Sequence, residues 1–569
     1  MAGGGDTHPL PLRGQFRQYK HGPKLFSVEL SEAGVTVTGD GVQQVIKVTD
    51  LVGCVCQQKQ KHQQQGSSSS SAFFTLLAYP LTERKKRARL ALCFEVAQRN
   101  NFKENLEVAN AWRKAVYHVV RIYGTAKPHI DYSKKLLVLI NPNSGPGRAL
   151  QIYRKQVSTV LAEADVSHEV LVTERANHAV EVVCNLDLKQ YAGLVILSGD
   201  GLLYEVYNGL LSRPDWEEAI QFPIGIIPGG SGNGLARSVS HWLSEPYTAN
   251  PVLVSTLNMV HGHLSPMDLV MTETAKGKRI LSFLSVGFGL LSDIDIESER
   301  LRIIGESRFA VWAVARCANL RKYHATIYFK RAVGAPTPAP PTSVPHLQRS
   351  QTLQEGEGLP STTKYLSRSY SVQPQESREE GDACLDLLPS LVKVEDGAPE
   401  PSPEKALEAL EHGEKALEAQ EHEKALEAQE HGEKQQEGAR SDVSFPGLDE
   451  PVPDDWETIE DDFIMVHCSQ HSHISGDVFF APQATPDDGC LWLLMLRRSC
   501  PKSTIAKLLL GLDGRHLSYP GVEMIAVEAL RIVPNQGTNK GYLTVDGEVI
   551  PWTPIQSRVL HKRGRIMTR

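Results

Sequence analysis

The hydrophobic pattern changes character along the chain. From Gln15 to Tyr123 apolar residues come in short runs broken by polar turns, and Leu25 to Leu30, Gly34 to Thr38, Gln44 to Val48, Ala72 to Ala78 and Arg89 to Glu95 predict strands. An amphipathic pattern from about Glu107 to Ile122 predicts a closing helix, making 15–123 a small β-rich module. From 134 to 260 the apolar runs become continuous. Leu136 to Ile140, Tyr191 to Leu197 and Ile224 to Ile227 have the Val/Ile/Leu content of buried parallel strands. Glycine loops follow them, with helices predicted from Arg148 to Ala164 and from about Leu235. After Asp462 short strands return at Phe463 to His467, Asp477 to Ala481, Leu491 to Leu496, Val522 to Leu530 and Gly541 to Val545. Joined to strands before the interruption, they predict a β-sandwich lobe assembled from 261–331 and 456–560.

The interruption, 332–455, is unsuited to a core. It opens on Gly334-Ala335-Pro336-Thr337-Pro338-Ala339-Pro340-Pro341 and later repeats Glu-Lys-Ala-Leu-Glu-Ala from Glu404, Glu414 and Glu423. The repeat favours helix, but Gly413 and Gly432 break it and few apolar positions share a face, so a disordered Pro-rich and acidic insert is predicted. Arg349-Ser350-Gln351-Thr352 and Arg368-Ser369-Tyr370-Ser371 have the Arg-x-x-Ser/Thr spacing that regulatory kinases acting on Thr352 and Ser371 would use; unmodified residues are the other reading.

Charge separates the insert from the rest. The net charge is −7, yet 332–455 holds 26 acidic and 10 basic residues, a net of −16, which leaves +9 elsewhere. A basic remainder suits nucleotide phosphates and an anionic membrane surface, and gives nucleic acid no particular support. Nine cysteines without paired spacing indicate a reducing compartment. The start Met-Ala-Gly-Gly-Gly-Asp lacks a signal pattern, and no apolar run approaches the roughly 20 residues of a membrane span. A cytoplasmic protein recruited to membranes is expected. The basic run in Glu83-Arg84-Lys85-Lys86-Arg87-Ala88-Arg89 leaves three readings open: a solvated hairpin loop, an anionic-lipid contact, or a nuclear import signal.

Candidate chemistry lies in the glycine loops. Leu197-Ser198-Gly199-Asp200-Gly201 sets a carboxylate between two glycines at a strand's carboxyl end, where open α/β sheets bind ligands. Glycine lets backbone approach a phosphate, and the carboxylate can take a proton from an attacking hydroxyl. Asn141-Pro142-Asn143-Ser144-Gly145-Pro146-Gly147 and Pro228-Gly229-Gly230-Ser231-Gly232-Asn233-Gly234 each place amides and a helix N-terminus where an anion would bind. Neither has the Gly-Lys-Ser/Thr of a P-loop or the dinucleotide fingerprint, so a shared phosphate site of another kind is indicated.

The ordered set of Asn-Pro-x-x-Gly-x-Gly, Thr173-Glu174-Arg175-Ala176-Asn177-His178, Ser-Gly-Asp-Gly-Leu-Leu-x-Glu-Val and Pro-Gly-Gly-Ser-Gly-Asn resembles the catalytic domain of diacylglycerol-kinase-type lipid kinases, and within them the sphingosine kinases. Arg213-Pro214-Asp215-Trp216-Glu217, Ser282-Phe283-Leu284-Ser285-Val286 and Asp293-Ile294-Asp295-Ile296-Glu297-Ser298-Glu299-Arg300 extend the resemblance over about 134–330 and again 451–550. The N-terminal extension and long insert place the chain nearer the longer members of that family. The implied fold is α/β: a two-lobed lipid kinase with an N-terminal three-layer α/β nucleotide lobe and a C-terminal β-sandwich lipid lobe. The β-rich module before it is similar to a pleckstrin-homology-like fold that docks membranes or partners.

The resemblance also implies roles. Asp200 is the expected general base in ATP-dependent phosphorylation of the primary hydroxyl of a sphingoid base, with Mg²⁺ accompanying the ATP and no ligand cluster visible for it. Asn141, Pro142, Asn143, Thr173, Glu174, Arg175, Ala176, Asn177, Glu205, Gly230, Ser231, Gly232, Arg302, Arg308, Gly547 and Glu548 would contact nucleotide. Ser198, Gly199, Asp200 and Gly201 would flank the substrate hydroxyl, while Asp295 would face the lipid's amino group. Arg302 could instead pair with Glu299, and Asp546-Gly547 could be a hairpin turn. Phe283, Leu284, Val286, Phe288 and Leu290 are either an alkyl tunnel or core. The competing functions are a ceramide or diacylglycerol kinase of the same fold and a catalytically inactive membrane scaffold.

Overall fold

The computed structural model describes residues 10–19, 24–57, 70–122, 128–298, 312, 316, 320–334, 445–509, 511–535, 537 and 541–569. The insert with Thr352 and Ser371, as well as Arg302 and Arg308, lies outside them.

Seven strands form the N-terminal sheet: β1 (Leu12–Gln18), β2 (Leu25–Ser31), β3 (Gly34–Gly39), β4 (Val42–Lys47), β5 (Leu51–Gln57), β6 (Ala72–Ala78) and β7 (Leu90–Val96), in the order β4-β3-β2-β1-β7-β6-β5. The helix Phe102–Ile122 packs on it through Trp112, which stacks on Phe74 at 5.3 Å and meets Phe16 edge-on at 5.4 Å. Such aromatic packing fixes one arrangement of a small core. β1 and β5 were not expected from the pattern. Leu-Arg-Gly-Gln-Phe-Arg-Gln has too few apolar positions to show alternation, and its pairing with β2 and β7 supplies what local pattern lacks.

A second, mixed sheet forms the rest. Its parallel part holds β8 (Lys135–Ile140), β9 (His168–Val172), β10 (Tyr191–Ser198) and β11 (Ile224–Pro228) in the order β11-β10-β8-β9. The expected helix after the first loop runs from Ala149 to Glu163 with a π turn at Tyr153–Val157. The antiparallel part comprises β12 (His263–Thr274), β13 (Arg279–Ser282), β14 (Ser285–Gly289), β15 (Tyr323–Arg331), β16 (Glu457–Ser469), β17 (Leu491–Arg497), β18 (Val522–Pro534), β19 (Leu543–Val545), β20 (Glu548–Ile550) and β21 (Ile555–Thr568). β15 and β16, which flank the insert in sequence, pair directly from Tyr323↔Phe463 to Phe329↔Glu457. Among the described residues no helix is long and apolar enough to cross a membrane.

Two expectations are corrected. Asp477 to Ala481 is not a strand: the Phe479 amide goes to the Leu512 carbonyl and those of Phe480 and Ala481 both go to Ser472, so the segment folds over the core as irregular backbone. The lobe also continues past 560. The basic segment from His561 to Arg569, to which the sequence attached no role, falls largely within β21, which pairs antiparallel with β12 and β18 and parallel with β11. β21 therefore sews the parallel and antiparallel parts into one sheet.

Candidate active site

The three glycine loops meet at the carboxyl ends of β8, β10 and β11. Asn141 begins the first loop with its Oδ1 accepting from the Asn143 amide at 3.0 Å. Ser144, three residues on, is buried and ties this loop to the second. Its Oγ accepts from the Gly199 amide at 3.0 Å and bonds the Ser198 hydroxyl at 3.1 Å. The third loop closes on itself through Asn233, whose Nδ2 donates to the Gly230 carbonyl at 2.6 Å. A methyl on Gly199 would lie 2.7 Å from the Gly232 carbonyl, and one on Gly230 would lie 2.5 Å from Gly199 Cα, so glycine is required for the loops to touch.

Asp200 sits at their junction as the first residue of the helix Asp200–Leu211, 6% exposed. Its amide donates to the Gly232 carbonyl at 3.1 Å, and its Oδ2 accepts from the Gly234 amide at 2.7 Å, at the start of the helix Gly234–Trp242. Oδ1 has no hydrogen-bond partner among the described residues. Burial pushes the carboxyl up to about 7; the amides of Gly234 and Leu235 oppose this, and the charge of Asp546 adds to it. An aspartate so placed has one oxygen held by the third loop and the other without a partner among the described residues.

The flanking nucleotide candidates divide by position. Thr173 is buried beside the first loop, its amide donating to the Ile140 carbonyl at 2.9 Å. Glu174, Arg175, Ala176 and Asn177 are exposed, with Arg175 in a bidentate pair with Glu181 at 2.6 and 2.7 Å. Asn177 adopts φ 61° and starts the helix His178–Asn185, whose Ala179 amide donates to Glu205 Oε2 at 3.2 Å. Glu205 is thus a structural link between two helices at the site's edge, half-buried and with a raised pKa caused by burial.

The second lobe contributes the turn after β19. Asp546 and Gly547 have φ 53° and 84°, and Val545 pairs with Glu548, so these residues are a two-residue hairpin turn. The turn also carries chemistry. Asp546 is buried and accepts from the Ser282 hydroxyl at 2.7 Å and from the amides of Phe283, Leu284 and Ser285 at 3.0, 3.0 and 2.8 Å. That grip holds the turn against the site: a methyl on Gly201 would lie 3.8 Å from Glu548 Oε1, and one on Gly547 would lie 3.4 Å from Asp295 Oδ2. Asp295 is half-buried on the helix Leu290–Ser298. Its neighbour Asp293 is buried, accepts from the Tyr323 hydroxyl at 2.6 Å, and is raised to about 6 by burial.

Sequence reasoning named Asp200, Asp295, Gly547 and Glu548, and the structure brings them together. It missed Ser144, Asn233 and Asp546 as organising residues, although each lay inside a quoted motif. A buried hydroxyl or carboxylate aimed at several amides leaves no periodic trace. The proposed apolar tunnel divides: Phe283 and Leu284 pack in the core under β10, Val286 and Phe288 in the inner core of the second lobe, and Leu290 in a separate layer with Ile294 and Phe480. Among the described residues no group of three or more His, Cys, Asp or Glu side chains is placed to hold a metal ion.

A parallel-sheet lobe with one buried carboxylate among phosphate-sized loops, facing a turn from an antiparallel lobe, defines a lipid-kinase type of phosphotransferase. The model of the diacylglycerol kinase catalytic domain matches residues 135–272, and that of the YegS C-terminal NAD kinase beta sandwich-like domain matches 452–567. Human sphingosine kinase 2 is 33% identical over 87% of this chain and 81% of its own length; human sphingosine kinase 1 is 32% identical over 75% and 88%. A crystal structure of a putative diacylglycerol kinase from Bacillus anthracis str. Sterne covers 77% of this chain and 97% of its own, at 14% identity and TM-score 0.42. The chain belongs to the sphingosine kinase family.

Proposed function

We propose that Asp200 is the general base in a reaction that transfers the γ-phosphoryl group of ATP to the primary hydroxyl of a sphingoid base, the activity that membership of this family assigns to the chain. The observation that carries the residue assignment is the carboxylate itself: it is buried where three amide-rich loops meet, with Oδ2 fixed on Gly234 and Oδ1 unpaired. The Oδ1 takes the proton as the hydroxyl oxygen attacks phosphorus. Phosphoryl transfer demands positioning and charge neutralisation above all, and the loops 141–147, 199–201 and 229–234, held together by their own amides, form the frame on which both are arranged.

Asp295 holds the lipid's ammonium. A carboxylate beside the Asp546-Gly547 turn favours a protonated amine over the amide of a ceramide or the ester of a diacylglycerol, by about 1.5–3 kcal/mol for a charge-assisted hydrogen bond. Mg²⁺ enters with ATP. The ion would neutralise phosphate charge, and no residue of the chain is assigned to it. Transfer of labelled phosphate to sphingosine, ceramide and diacylglycerol tests these roles. Asp200→Asn should abolish labelling of sphingosine and Asp295→Asn should reduce it strongly, whereas labelling of ceramide or diacylglycerol alone would overturn the role of Asp295.

The chain is further proposed to be cytoplasmic and to reach its substrate on anionic membranes through its basic remainder, which flotation with anionic and neutral vesicles at physiological salt would check. Thr352 and Ser371 are proposed acceptors for basophilic kinases, to be read by mass spectrometry of the protein from cells.

A further inference from the structure

His467 sits among apolar side chains of the second lobe. It lies on β16 between Gly287 of β14 and Leu494 of β17, and is 5% exposed. Its ring packs against Phe480 with centroids 5.6 Å apart, beside the layer formed by Leu290, Ile294, Met465 and Trp492. Neither ring nitrogen has a hydrogen-bond partner among the described residues. Buried polar groups in folded proteins are nearly always paired, so an imidazole with both nitrogens unpaired points to a partner that the described residues do not provide. Burial holds the ring neutral, its pKa pushed down to about 4. A neutral imidazole offers one N–H and one lone pair, the complement of a hydroxyl rather than of a phosphate or carboxylate.

The position relates this ring to the acceptor. A methyl on Gly287 would come within 2.6 Å of His467 Nδ1, so the imidazole lies directly against that glycine. Ser292 Oγ donates to the Gly287 carbonyl at 3.3 Å, and Ser292 precedes Asp295 by three residues on one helix, roughly 4.5 Å along its axis. His467 is thus linked through Gly287 and Ser292 to the helix that carries the carboxylate assigned to the lipid's amine, and in that binding mode the first carbons of the alkyl chain would run toward the ring. We propose that His467 hydrogen-bonds a hydroxyl on the acceptor's chain close to its head group, so that the enzyme prefers 4-hydroxylated sphingoid bases to their 4-deoxy counterparts. The inference rests on Asp295 holding the amine.

The test uses the full-length chain, Mg·ATP and two saturated C18 2-amino-1,3-diols that differ only in a hydroxyl at C4. The wild-type protein is expected to show kcat/KM about tenfold higher for the hydroxylated base. His467→Leu should bring that ratio to one or below while retaining its rate on the 4-deoxy base. His467→Gln keeps a donor and an acceptor and should preserve part of the preference, which serves if the leucine variant does not fold. A wild-type ratio of one, or a ratio unchanged in both variants, overturns the inference and leaves an internal water as the ring's partner, with the roles of Asp200 and Asp295 untouched. Transfer to neither base by folded wild-type protein would overturn the site assignment and the inference with it.

Discussion

The guanidinium of Arg569 lies 3.0 Å from the carboxylate of Asp50, joining the last strand of the catalytic sheet to the N-terminal module. Arg87 binds the same Asp50 oxygen at 2.9 Å and forks onto Glu245 at 2.6 and 2.8 Å, while Arg569 reaches Glu245 at 3.5 Å. Two arginines and two carboxylates thus share one buried site, with the arginine side chains only 6 and 7% exposed. Arg89 adds a bond to Glu163 at 2.6 Å, and Tyr79 a second to the same residue at 2.7 Å. Of the basic run in 84–89, then, Arg87 and Arg89 clamp the module to the kinase, while Arg84, Lys85 and Lys86 are exposed around a tight turn closed by Thr82 and Lys86.

Removing one member of this network should be costly, because it strands buried charge. Arg87→Ala or Arg569→Ala is expected to lower stability by about 3–5 kcal/mol. Arg113→Ala, which breaks an exposed pair with Asp165, should cost about 1 kcal/mol or less. Thermal melting ranks the three, and hydrogen exchange of the Asp50 and Glu245 segments reports whether the module has loosened. Equal losses for all three would contradict the buried network.

Asp200→Asn should be inactive yet more heat-resistant at pH 8. The folded value, about 7, lies above that of an unfolded aspartate, so the folded chain keeps a proton that the unfolded chain sheds. Stability from this group is fully present below about pH 4 and is lost as pH rises through 7. Asparagine carries no such ionisation cost. The variant's melting advantage should be a few degrees at pH 8 and vanish near pH 4; an advantage independent of pH would show that burial does not control this carboxyl. In the wild type, kcat/KM should rise with pH through about 7 as the base ionises.

Asp546→Ala leaves four donors without an acceptor: the Ser282 hydroxyl and the amides of Phe283, Leu284 and Ser285. A loss of at least about 3 kcal/mol is expected, since each unpaired buried donor costs on the order of 1 kcal/mol or more. The turn bearing Gly547 and Glu548 would drift from Gly201, so kcat should fall even where the variant remains folded. Chemical denaturation and steady-state rates measured on the same sample separate the two effects.

Glu205→Ala removes the carboxylate that accepts from the Ala179 amide at the start of the helix His178–Asn185. A lost helix N-terminal acceptor is worth roughly 1 kcal/mol. The KM for ATP is expected to rise about fivefold with kcat little changed, a split that steady-state kinetics over a range of ATP concentrations will show. A fall in kcat alone would place Glu205 at the reacting phosphate instead.

Sequence by itself determined the parts with local physical signatures. Continuous apolar runs such as Leu136 to Ile140, each followed by a glycine loop, read as buried strands, and glycines at 199 and 230 mark where backbones touch, so the parallel sheet, its loops and Asp200 were legible. The Asp-Gly pair at 546–547 likewise declared its turn. Tertiary structure alone decided what depends on distant partners. β1 is a strand because β2 and β7 pair with it, and Asp477 to Ala481 is not one because Ser472 and Leu512 claim its amides. A basic tail read locally as featureless becomes the end of β21, since its strand partners β12 and β11 and the buried charges of Asp50 and Glu245 lie hundreds of residues away in sequence. The pairing of Asp546 with 282–285, and the unpaired ring of His467, belong to the same class: burial and hydrogen-bond satisfaction are properties of a neighbourhood, which only the folded chain assembles.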